Sequence, residues 1–120
     1  MNDKISELLE ESKKINGEVI TLTRLLILAL LSYFADGIQY RELKTALNIS
    51  DGKLISNLRK LEKFGYVKKE EIKINRKRLD VYSITESGLR DYKRVLNWLT
   101  YLIDMVNLNV QESRQGNSST

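Results

Sequence analysis

Two short amphipathic patterns joined by only four residues set the tightest limit on how this chain folds. They occupy Tyr40 to Gly65, and the joint is Asn48-Ile49-Ser50-Asp51. The first pattern begins at Gln39 or Tyr40, runs through Arg41–Leu47 and turns Leu43, Ala46 and Leu47 inward. Asn48 tolerates the left-handed conformation that ends a helix. Ile49 anchors the turn, and Ser50 is a good N-cap for the next helix. Asp51 falls at the positive end of that helix's dipole, and Phe64-Gly65 provides a glycine stop. Leu54, Leu58 and Leu61 form the apolar side of the second pattern. Helical geometry then turns Gly52, Lys53, Ser56, Arg59, Lys60 and Lys63 outward, with Asn57 on the flank.

Several kinds of chemistry are excluded by composition. The 120 residues contain no cysteine, which rules out disulfides, thiolate catalysis, thiol redox sensing and cysteine-ligated metals. There is also no histidine, the commonest general base and metal ligand. No cofactor and no metal site are expected, and an enzyme ranks last among the functional readings. A chain of this length is expected to form one domain with a modest core. The N-terminus MNDKISELLEES lacks the features of a secretory signal. The longest apolar run, Leu25 to Leu31, is far short of the roughly 20 residues needed to span a membrane. A cytoplasmic location without membrane contact is therefore the expectation.

Charge is unevenly distributed. Residues 1–39 hold four Lys/Arg against six Asp/Glu, a balance of −2. Residues 40–84 hold twelve against six, +6, and residues 85–120 hold four of each. An anionic partner would therefore meet the middle third of the chain.

The flanking segments read as follows. Ile5, Leu8, Leu9 and Ile15 give the spacing of an amphipathic helix over Asp3 to Ile15, within an N-terminal segment 1–17. Thr21 or Thr23 opens a helix to about Ala35 that is apolar nearly all round, which predicts a central buried helix. Tyr66 to Ile72 and Leu79 to Ile84 read as two strands. Between them, 73–78 form a hairpin tip carrying Lys73, Arg76, Lys77 and Arg78, with no partner carboxylate expected nearby in sequence. Such self-repulsion is better explained by a phosphate partner than by turn chemistry. Thr85 caps a last helix over 85–111. Leu89, Tyr92, Leu96, Leu99, Ile103, Val106 and Val110 recur in steps of 3 and 4, a heptad seam. About 25 residues of helix span nearly 40 Å, more than so small a domain covers, so the seam points to a second chain. The tail 112–120 is expected to be disordered.

Two motif matches carry no weight. Asp51-Gly52-Lys53 lacks the earlier glycine and the preceding strand of a phosphate-binding loop. Asn48-Ile49-Ser50 fits a glycosylation sequon in a chain without an export signal.

The order helix, helix, turn, helix, hairpin, long helix brings a resemblance into view. Tyr40-x-x-Leu43, then Ile49-Ser50-x-x-x-Leu54-x-x-x-Leu58-x-x-Leu61-x-x-x-Gly65-Tyr66-Val67, and finally Tyr82-Ser83-Ile84-Thr85-x-x-Gly88 carry it. Residues from about Thr23 to Tyr92 resemble a winged helix-turn-helix domain of the MarR/ArsR-like group, especially the small archaeal regulators. The resemblance implies a mainly α fold with a small β-hairpin wing, flanked by an N-terminal helix and a long C-terminal dimerisation helix. The winged-helix part would be 18–84, with the recognition helix at Ser50–Phe64 (helical over 51–64) and the wing at Lys68–Val81. Without Cys or His, the metal-sensing and thiol-sensing modes of related proteins cannot operate.

The expected function is a homodimeric, sequence-specific regulator of transcription bound to double-stranded DNA. Lys53, Ser56, Asn57 and Lys60 are the candidates for reading bases in the major groove. Arg59, Lys63, Lys68 and Lys69 are phosphate candidates, and Gly52 lets the helix N-terminus approach the backbone. Lys73, Arg76, Lys77 and Arg78 are the wing contacts to the minor groove or backbone. Two alternatives stand beside this reading. One is a winged-helix module that docks an acidic protein partner through its wing. The other is a regulator gated by a small-molecule effector, in an apolar pocket near the dimer interface lined by residues such as Tyr92, Trp98 and Tyr101.

Overall fold

The fold is described from a computed structural model, covering the backbone of residues 3–118 and the side chains of 3–109. The chain divides into two compact units. Residues 16–92 form one; the other consists, among the described residues, of 3–15 and 93–118. Among the described residues no helix is long and apolar enough to cross a membrane.

The larger unit begins with a 3-10 turn at Gly17–Val19, followed by α2 (Leu22–Tyr33) after α1 (Asp3–Ser12) of the other unit. Thr21 caps α2, its side chain accepting from the Arg24 amide. β1 (Ile38–Gln39), α3 (Tyr40–Leu47), α4 (Asp51–Lys63), β2 (Val67–Ile74) and β3 (Lys77–Ile84) complete it, with the start of α5 (Glu86–Ser118). The sheet is three-stranded and antiparallel, in the order β1-β3-β2. Leu54, Leu58 and Leu61 of α4 join Ile27, Leu28 and Leu31 of α2 and Leu43 of α3 in the core. Each of these side chains is essentially inaccessible to solvent, so the outward direction of the rest of α4 follows from burial.

Several expectations are corrected. α2 is buried on one side only: Leu22 and Tyr33 are 76% and 80% exposed, and Leu26 and Phe34 are also exposed. Its near-uniform hydrophobicity hid which side meets the core. Ala46, expected inward, is exposed. The first strand was not foreseen, because two residues carry no periodicity. Its approach to β3 requires Gly37 (φ +107), where a Cβ would lie 2.6 Å from Val81 Cγ1. The hairpin tip is two residues, not six: Lys73 pairs with Arg78 and Ile74 with Lys77. Asn75 (φ 51) and Arg76 (φ 67) make the turn, a left-handed pair of the kind that matches strand twist. Arginine in the position usually taken by glycine concealed the turn in the sequence.

The last helix keeps its hydrogen-bonded backbone to Ser118 rather than ending near Gln111, so the expected tail is helical through 118. Glu112, Arg114 and Gln115 are adequate helix formers, and extending a helix is far easier than nucleating one. Its start is fastened firmly. The Thr85 hydroxyl accepts from the Gly88 amide at 3.0 Å and donates to the Gly65 carbonyl at 2.6 Å, which Ser87 also reaches at 2.9 Å. Gly88 permits this contact, since a Cβ there would meet the Tyr66 carbonyl oxygen at 2.2 Å.

In the smaller unit α1 ends at Ser12, followed by turns to Ile15. Its single buried residue is Leu8, whose carbonyl accepts from Trp98 Nε1 at 3.1 Å. Along α5, Leu96, Ile103 and Val106 of the heptad seam are exposed, whereas Leu89, Tyr92 and Leu99 are half-buried. Val110 lies outside the described side chains.

Candidate nucleic-acid interface

The turn that aims α4 forms as its residues require. Asn48 takes the left-handed conformation at φ 51 and ends α3. Ser50 caps α4, its hydroxyl accepting from the Lys53 amide at 3.2 Å. A second tie was not foreseen. The Tyr40 hydroxyl donates to Asp51 Oδ1 at 2.6 Å, and Lys44 Nζ lies 2.9 Å from Asp51 Oδ2. Both partners come from α3, so the first turn of α4 is joined to the helix before it. The hydrogen bond from Tyr40, followed by the one from Lys44, lowers the Asp51 carboxyl below its ordinary range. Burial, then the bond to Asp51 and its negative charge, push the Tyr40 phenol up to about 12. At neutral pH Tyr40 is thus a protonated donor facing a carboxylate.

Gly52, Lys53, Ser56, Arg59 and Lys63 are exposed on the side of α4 opposite the leucines. Asn57 and Lys60 belong to the same side but are engaged. Asn57 Oδ1 accepts from Arg24 Nε at 3.0 Å, and its Nδ2 donates to the Lys53 carbonyl at 2.7 Å. Lys60 Nζ stands 3.7 Å from Glu18 Oε1. Asn57 therefore has both ends of its amide held within the protein. Arg24 and Glu18 escaped the sequence reading because they are far from α4 along the chain.

Lys68, Lys69, Lys73, Arg76, Lys77 and Arg78 are all exposed on the hairpin. The expectation that no carboxylates accompany them is corrected by the strand register. Glu71 faces Asp80 across the ladder, a like-charge pairing that disfavours a sheet unless it is neutralised. Arg78 supplies the neutralising charge, pairing with Glu71 and lying 3.8 Å from Asp80. Asp80 Oδ1 is buried without a hydrogen bond among the described residues, so this ionic proximity is its compensation. Lys68 is 3.8 Å from Glu70. Arg78 is thus committed to holding the hairpin together, while Arg76 occupies the turn itself. A cleft of about 460 Å³ beside the hairpin is lined by Gln39, Tyr40, Arg41, Lys77, Arg78, Leu79 and Asp80. It places Arg41 of α3 beside two wing cations, another neighbour that sequence order did not disclose.

The arrangement can be compared with known proteins. A transcriptional regulator homologue from Pyrococcus horikoshii OT3 is 25% identical, with a TM-score of 0.72 over 88% of this chain and 98% of its own. MarR is 20% identical, with a TM-score of 0.64 over 96% and 93% of the two chains. NadR, solved in complex with 4-hydroxyphenylacetate, is 18% identical, with a TM-score of 0.61 over 94% and 77%. A search of curated proteins returns no match. Residues 23–103, two-thirds of the sequence, running from α2 through the wing into α5, match the family described as winged helix DNA-binding domain. With α4 capped, aimed and flanked by a β-hairpin, the chain belongs to the winged helix DNA-binding domain family.

Proposed function

We propose that this protein is a homodimeric, sequence-specific transcriptional regulator that binds double-stranded DNA. α4 enters the major groove, and the β2–β3 hairpin meets the minor groove or the backbone. The observation that carries the reading is the outward side of α4: Lys53, Ser56, Arg59 and Lys63 stand exposed opposite three fully buried leucines. Lys53 and Ser56 are the best placed to read base edges, and Lys60 joins them once released from Glu18. Asn57 acts by ordering the helix surface rather than as an unrestrained reader. Gly52, Arg59, Lys63, Lys68 and Lys69 approach phosphates, which set register without carrying sequence. Lys73, Arg76 and Lys77 extend that contact along the wing, with Arg78 holding it in shape.

A second copy is supported by α5. Leu96, Ile103 and Val106 leave a seam of exposed apolar side chains at heptad spacing, with Ile103 and Val106 each over half exposed. A two-fold dimer sets two recognition helices about 34 Å apart, one turn of DNA. Size-exclusion chromatography with light scattering should give a dimer at micromolar concentration, and a monomer would overturn this part. A mobility-shift titration on duplexes selected from a random pool should show sequence preference. Six to ten phosphate contacts would weaken binding by about 10³- to 10⁵-fold between about 50 and 200 mM salt. Absence of duplex binding at the lower salt would overturn the reading.

A further inference from the structure

Glu18 and Arg24 precede the helix-turn-helix in sequence, yet both meet the outward side of α4. Arg24, in the first turn of α2, reaches in two directions. Its Nε donates to Asn57 Oδ1 at 3.0 Å, and its Nη1 donates to the Glu18 backbone carbonyl. Asn57 is held at its other end by the Lys53 carbonyl. Asn16 caps the 3-10 turn, its Oδ1 accepting from the Glu18 amide at 3.1 Å. One guanidinium therefore fastens the turn carrying Glu18 to α4, and the Glu18 carboxylate comes to rest 3.7 Å from Lys60 Nζ. The two side chains remain 58% and 40% exposed, respectively.

We propose that Glu18 is a specificity-determining residue, holding Lys60 in the free protein and on arbitrary DNA and yielding it only to a base-edge acceptor at a cognate site. The proposal rests on the DNA-binding reading above. A pair at this distance between half-exposed groups is weak and screened by salt, so an acceptor fixed by a matching site can displace the carboxylate. On arbitrary DNA, where phosphates supply essentially all the attraction, the carboxylate keeps the Lys60 charge neutralised and one phosphate contact is withheld. On a cognate site a base-edge acceptor, held in register by the contacts of Lys53 and Ser56, takes Lys60 from it. Glu18 thereby lowers arbitrary binding more than cognate binding. Arg24 is a positioning residue, acting through the turn that it holds.

The test is fluorescence anisotropy with a labelled random-sequence duplex over a salt series, on the full chain. Glu18→Gln keeps the shape of the side chain and removes its charge. It should tighten binding by about 2- to 5-fold at the lower salt. The log–log salt slope should steepen by about 0.9, one more neutralised phosphate. In a Lys60→Gln background the same change should leave the slope where it was. Arg24→Lys keeps the charge but loses the planar fork, and should reproduce part of the steepening. An unchanged slope in Glu18→Gln overturns the proposal. So does an equal steepening in the Lys60→Gln background, which would report a general charge effect. If the unmodified protein binds no duplex, the DNA-binding reading falls and this proposal with it. Binding by the unmodified protein with an unresponsive Glu18→Gln removes the proposal alone.

Discussion

α4 and the β2–β3 hairpin present similar long cations, but their supports differ. α4 rests on Leu54, Leu58 and Leu61 in the core and is fixed at both ends. Ser50, Tyr40 and Lys44 hold its start, while Thr85 and Ser87 reach the Gly65 carbonyl just beyond its finish. Within β2 only Val67 is buried. Beyond it the hairpin depends on its own ladder, the two-residue turn and the Arg78 ion pairs. Segments with few buried apolar contacts open most readily. A rigid helix sets register in a groove, and a compliant hairpin adapts to the shape beside it. Under the DNA-binding function proposed above, the difference suits side chains that read bases and side chains that follow backbone.

The largest expected effect is on the core under α4. Leu58→Ala should cost about 2–5 kcal/mol in chemical denaturation, whereas Ile74→Ala, exposed on the hairpin, should stay within about 0.5 kcal/mol. Equal losses would break the comparison. Arg76→Gly is smaller and of opposite sign. Relieving a left-handed non-glycine residue should raise stability by up to about 1 kcal/mol, while duplex affinity weakens. A variant both more stable and equally tight in DNA binding would remove Arg76 from the interface. Asp51→Asn should give the smallest change, a loss of stability at neutral pH that disappears in acid. A lowered folded pKa contributes stability that is complete above the unfolded value of about 3.9 and is lost as pH falls through the folded one. The variant should be flatter over that acid window. An identical acid limb would show that Tyr40 and Lys44 do not hold the start of α4.

Much of the fold was legible because its determinants are local. The i, i+4 and i, i+7 spacing of Leu54, Leu58 and Leu61 identified which side of α4 is inward, and Asn48 and Ser50 marked the ends of adjacent helices. Thr85 was readable as a cap for the same reason. The hairpin was readable as a pair of strands but not in its register, so the meeting of Arg78 with Glu71 and Asp80 was missed. In α2 hydrophobicity on every side erased the distinction between core and surface.

By itself, then, the sequence determined the helices, their caps, the outward residues of α4 and the heptad spacing along α5, since each depends on neighbours within a turn or two. Tertiary structure alone decided the two-residue β1 strand and the closeness of Arg41 to the wing. It also decided the hold of Arg24 and Glu18 on Asn57 and Lys60. Arg24 and Asn57 are 33 residues apart in the chain, and no periodic pattern links them. Their contact exists because burial of one side of α2 and one side of α4 in a shared core leaves the edges of both helices within hydrogen-bonding reach.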